Sequence, residues 1–123
     1  MRIVLLSEFR IRLEGSAQPL TIEAASPDAD FSPFHMLASG LGACVYSLLY
    51  GWALQTKLSP DDLAIEVAWR FVDAPRRVGR YDLTLEWPSL SQERRAAAVR
   101  LVDHCPVHAT LEHPTELVTV VRE

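Results

Sequence analysis

The sequence lacks most of the patterns that announce a chemistry. It has no P-loop, no other phosphate-cradling glycine-rich loop and no dinucleotide fingerprint, which removes the common nucleotide-binding routes. A net charge of -4 and a pI near 5.5 leave no basic footprint for nucleic acid. No internal repeat, linker or low-complexity stretch divides the 123 residues, so a single domain over 1–123 is expected. Met1 to Leu13 holds no apolar signal core and no small-residue cleavage site. The expectation is a cytoplasmic protein, and in that compartment a structural disulfide is rare.

Charge is also missing locally. From Phe31 to Thr56 there is no Asp, Glu, Lys or Arg, a run longer than the ~20 residues that span a bilayer. Pro33, His35, Gly40, Gly42, Gly51 and Gln55 interrupt it, and no basic cluster flanks it. The rest of the chain reads as amphipathic strands that need an apolar element to pack on. The segment is therefore read as a central helix, not a membrane span. A helix apolar on every side is buried on every side, which in so small a protein calls for cover from a second subunit.

Around that helix the periodicity predicts an α+β domain in the order β-β-α-β-β-α-β. Met1 to Leu13 alternates loosely as one strand, Glu14-Gly15-Ser16 turns, and Leu20 to Ala24 forms a second strand. Ser32 caps the central helix, Pro33 starts it, and it runs to about Lys57. Leu63 to Phe71 and Tyr81 to Trp87 alternate clearly and form an antiparallel pair. Ser89-Leu90-Ser91-Gln92 fits a capping box. The helix that follows, Gln92 to His104, is expected to bury Ala96, Val99, Leu101 and Val102 and to expose Arg94, Arg95 and Arg100. Pro106 to Glu112 can form a further turn, and Leu117 to Val121 alternates as a closing strand.

There are two cysteines, 61 positions apart, so only the fold can bring them together. A thiolate is the nucleophile, and helix N-termini or nearby cations favour it. Cys105 stands just before Pro106, at the cap of a potential helix, where free N–H groups lower a thiol pKa. His104 and His108 flank it as possible proton carriers. Cys44 stands in mid-helix, so its activation needs a cation from elsewhere, with Arg10 and Arg12 on the first strand the candidates. His35 is about two and a half turns earlier and is not a same-face neighbour of Cys44. A zinc site from Cys44, Cys105, His104 and His108 would lack the paired short cysteine spacings of structural zinc centres, and no metal or other cofactor is expected. The structural alternative is that both cysteines are ordinary buried thiols.

Ser32-Pro33-x-x-Met36-Leu37-Ala38-Ser39-Gly40-Leu41-Gly42-Ala43-Cys44 resembles the first-cysteine signature of the OsmC/Ohr family. Cys105-Pro106-Val107-His108-x-x-Leu111 resembles its second. The resemblance spans Phe9 to Val121 and implies an OsmC-like α+β fold: antiparallel sheets, a long buried central helix and an intertwined homodimer. It further implies a thiol-dependent organic hydroperoxide reductase serving oxidative-stress defence. Cys44 would match the peroxidatic cysteine and Cys105 the resolving one, with a lipoyl-type dithiol as reductant and no metal, haem or flavin. Neither nucleic acid nor membrane is an expected partner. The chain departs from the family pattern at the carboxylate that holds the activating arginine: Phe34 and His35 stand where different branches carry Glu, and His108 stands where Ser is usual. His35 is the candidate substitute, with Arg10, Arg12 and His108 as supporting residues. The alternative function is a catalytically degenerate OsmC-like protein that binds a small apolar ligand.

Overall fold

The computed structural model describes residues 1–7, 10–14, 20–23 and 32–122. Its contacts divide the chain into two compact units, Met1–Leu37 and Ala38–Glu123. In the first unit, β1 (Arg2–Ser7), β2 (Arg10–Glu14) and β3 (Leu20–Glu23) form an antiparallel sheet in the order β1-β2-β3. Ile3 faces Leu13 across the first ladder, and Ile11 faces Ile22 across the second. The expected single strand over Met1 to Leu13 is thus two, because the chain reverses between Ser7 and Arg10 and pairs with itself. Apolar alternation continues through the reversal, so periodicity alone could not show it.

Helix α1 (Pro33–Gln55) begins at Ser32, as its sequence indicates. Ser32 Oγ accepts from the His35 backbone N–H at 3.4 Å, and the Ser32 N–H donates to His35 Nδ1 at 3.2 Å. This is a reciprocal cap in which an imidazole replaces the usual Glu or Gln at the third helical position.

The second unit is built on the remainder of α1. Leu41, Val45, Leu49 and Ala53 recur every fourth residue and are almost fully buried, the stripe that one helix face presents. They pack on β4 (Ala64–Val72) and β5 (Arg77–Glu86), an antiparallel pair with Val67 opposite Leu83 and Trp69 opposite Tyr81. Ile65, Val67, Tyr81, Leu83 and Leu85 line the inner side, while Ala64, Glu66, Ala68 and Arg70 are exposed. β5 starts four residues before the alternation signals it, because a register shift at Arg70/Phe71 lets Arg77 pair with Val72. Gly42 lies against β4: a Cβ there would stand 3.4 Å from Val67 Cγ2. α1 is long and apolar enough to cross a membrane by composition, at 23 residues and mean hydropathy 1.4, but its buried stripe belongs to this core.

Helices α2 (Gln92–Val102) and α3 (Pro106–Glu112) complete the unit. The α2 cap is Ser91, whose side chain makes no capping bond. Ser89 instead donates its N–H and its hydroxyl to the two carboxylate oxygens of Asp62, both at 2.7 Å. The expected capping box is therefore replaced by a loop-to-loop clamp. α2 buries Ala98 and Val102 and leaves Ala96 and Val99 exposed. The run Ala96-Ala97-Ala98 carries no phase, so the buried face could not be read from it. Trp87 stacks edge-on against Trp52, ring centres 6.0 Å apart, and its indole N–H donates to the Ser59 carbonyl at 2.9 Å. The expected strand at Leu117 to Val121 is absent: residues 113–122 belong to no helix or strand, and Val121 is 95% exposed. A strand needs a neighbour to complete its ladder, and among the described residues this segment has none.

Candidate functional site

The fold brings the two cysteines together. Cys44 comes from the middle of α1, half-buried beside the core stripe, and Cys105 from the cap of α3, with 0% of its surface exposed. Both are free thiols, and Cys44, packed against the core cluster that contains Cys105, lies near enough to perturb the Cys105 thiol. The core around the pair includes Leu41, Val45, Trp87, Ala98 and Val102.

Cys105 takes its position from Pro106. Proline holds φ near the helical value and needs no N–H partner in the first turn, so α3 starts there and Cys105 becomes its cap. The His108 backbone N–H donates to Cys105 Sγ at 3.4 Å. The sequence therefore located the N-cap geometry correctly, but the expected activation does not follow. Burial pushes the Cys105 thiol above its ordinary value, the neighbouring Cys44 side chain adds to the rise, and the His108 and Val107 N–H groups offset only part of it. A weakly donating cap cannot overcome the loss of water around a thiolate with no exposed surface.

The other sequence candidates fall in separate places. The His108 ring is largely buried between two acidic side chains, with Nε2 3.9 Å from Asp103 Oδ1 and Nδ1 3.6 Å from Glu112 Oε2. Its buried Nδ1 has no hydrogen-bond partner, so the ring lies alongside these carboxylates without being fixed by either. His35 is engaged at the α1 cap, where its Nδ1 also lies 2.9 Å from Ser32 Oγ. Arg12 is held within its own strand: Nε and Nη2 donate to Glu14 Oε1 at 2.8 and 2.7 Å. Arg10 is placed by its backbone on β2, opposite Ser7 and Glu23, and its side chain lies outside the described residues. The Arg12–Glu14 pair is the feature that sequence reasoning missed. Residues two apart share one face of a strand, so the spacing itself could have signalled it. Among the described residues, no three His, Cys, Asp or Glu side chains gather closely enough to hold a metal ion.

Comparison with known proteins agrees with this architecture. A solved structure of a protein from Psychrobacter arcticus 273-4, described as an osmotic-stress-induced and detoxification-response protein, superposes with a TM-score of 0.75 at 19% identity, covering 92% of this chain and 87% of that one. A second solved structure, from structural genomics, gives a TM-score of 0.66 at 19% identity, covering 90% of this chain and 87% of the other. No curated protein matches the chain. The sequence profile of OsmC-like proteins matches residues 26–120, which contain both cysteines and every element from α1 to α3. The chain belongs to the OsmC-like protein family.

Proposed function

We infer that this OsmC-like protein is a cytoplasmic, thiol-dependent hydroperoxide reductase, with Cys44 as the peroxidatic and Cys105 as the resolving cysteine. The observation that carries the reading is the meeting of two free thiols 61 positions apart in one apolar core, in which no other buried polar side chain is found among the described residues. The Cys44 thiolate attacks the terminal oxygen of an organic hydroperoxide. The O–O bond breaks, the alkoxide takes a proton and leaves as the alcohol, and Cys44 becomes a sulfenic acid. The Cys105 sulfur then attacks the Cys44 sulfur, forming the disulfide, and its proton leaves with the hydroxyl as water. A lipoyl-type dithiol restores both thiols and is itself oxidised to a disulfide. Such a cycle needs no metal or prosthetic group. It agrees with the detoxification role named for the Psychrobacter protein.

The assembly assigned is a homodimer. The outer side of α1 carries the stacked pair Tyr46–Tyr50 and Leu54, the last 58% exposed, and the chain ends with Leu117, Val118, Val120 and Val121 in solvent. Among the described residues, a Cβ at Gly40 or Gly51 would meet nothing within 4 Å, and small residues permit close backbone approach of a second helix.

The test is consumption of cumene hydroperoxide by reduced protein with dihydrolipoamide, with Cys44→Ser as control. Turnover that disappears in Cys44→Ser, and a Cys44–Cys105 disulfide after one equivalent of peroxide, are expected. Peroxide treatment that leaves both thiols free by mass spectrometry would refute the two-cysteine cycle. The second reading, a binding protein for a small apolar ligand, is favoured by the engagement of His35 at the α1 cap, which leaves the family carboxylate without a replacement at its own position. It predicts a ligand-induced rise in Tm that persists in Cys44→Ser.

A further inference from the structure

A groove of 430 Å³ lies between β5 and α2, apart from the thiol pair. Its walls are Leu83, Leu85, Trp87, Leu90, Ala98 and Val99, with Thr84, Pro88 and Arg95 completing it. Its volume falls within the ~300–1,000 Å³ of small-molecule sites, and an apolar lining with a few convergent polar groups is their usual composition. Val99 is 61% exposed although it faces this cavity, so apolar surface is left open there to water.

The polar groups have one sign. Arg95 has no hydrogen-bond or ion-pair partner among the described residues and is the one charged side chain of the lining. α2 carries Arg94, Arg95 and Arg100 against Glu93 alone, in a chain whose net charge is -4. Ser91 makes no side-chain cap, the Arg94 N–H donates to the Ser91 carbonyl at 3.0 Å, and the N-terminus of α2 adds partial positive charge at that end. Glu93 is the opposing charge on the first turn. We propose that the groove between β5 and α2 binds a small amphiphilic anion, an apolar chain or ring bearing a carboxylate, with its body against Leu83, Leu85 and Val99 and its carboxylate on Arg95. This site goes beyond the peroxide chemistry and does not involve the sulfur atoms. Trp87 forms one wall of the groove and also belongs to the core that holds Cys105, so occupancy is reported by indole fluorescence.

The experiment titrates the full chain with decanoate below its micelle concentration, following tryptophan emission, with decanol and decyltrimethylammonium as matched chains. Saturable binding is expected for decanoate, weaker binding for decanol and weaker still for the cation. Arg95→Gln should weaken decanoate by about fivefold, the scale of one exposed ion pair, and leave decanol unchanged. Val99→Trp, which fills the groove from an exposed position on α2, should abolish binding of both. Peroxide turnover should be unaffected by Arg95→Gln. Equal affinity for decanoate and decanol, or an Arg95→Gln variant that binds decanoate as well as the parent, overturns the proposal. So does a Val99→Trp variant that retains decanoate and instead changes the oligomeric state, which would make the groove a contact between two copies. Binding that is lost in Cys44→Ser but retained in Val99→Trp would place the ligand at the thiols and also overturn it.

Discussion

The two cysteines should differ sharply in alkylation, and Cys105 gives the quantitative case. Its thiol has an ordinary value of 9.0 and is pushed above it, by burial first and by Cys44 second. A thiol at 9 is only about 1% thiolate at pH 7, and each further unit costs another factor of ten. With no exposed surface, the sulfur also meets reagent only when the core opens. An opening free energy of about 3 kcal/mol, modest for a core position, slows reaction about 150-fold. The product is a protection of at least about 10² relative to the same cysteine in urea, read by timed iodoacetamide labelling and peptide mass spectrometry. Cys44, half-buried on α1, should label first. The pH dependence has a definite sign. A folded pKa above the unfolded one means that the native state keeps its proton longer, so this contribution to stability is complete below about pH 9 and lost as pH rises through the folded value. Cys44→Ala removes the second cause of the rise, so the Cys105 pKa should move down while burial keeps it elevated. Equal labelling rates for Cys105 in native and urea-unfolded protein would refute the reasoning.

Three further outcomes follow from the packing. Leu49 is fully buried at the centre of the α1 stripe, and Leu49→Ala should cost about 3 kcal/mol in urea unfolding, with an unchanged m-value. Ser32→Ala removes the hydroxyl that caps α1 and should cost about 1 kcal/mol, read by the same denaturation. Asp62 is held below its ordinary 3.8, chiefly by the Ser89 hydroxyl. The stability it supplies is present above that value and lost as pH falls through the lower folded one, so Asp62→Asn should lower Tm at neutral pH and flatten its decline in acid.

Both cysteine motifs, the long uncharged helix and the β4–β5 pair were legible in the sequence, because each depends on local pattern. The cap at Ser32 and the α3 start at Pro106 were equally local and were equally readable. Single sequence patterns could not phase α2, since three consecutive alanines have no sidedness, nor could they divide β1 from β2, where alternation runs through a reversal. Leu117 to Val121 has the alternation of a strand and no partner among the described residues, and pattern carries no information about a neighbour.

Sequence by itself thus determined which residues carry sulfur, where the helices begin and which family the chain resembles. Tertiary structure alone decided that Cys44 reaches Cys105 and that burial outweighs the helix cap at the Cys105 thiol. The reason is physical: contact and desolvation depend on distances between segments far apart along the chain, and only the folded core sets those distances.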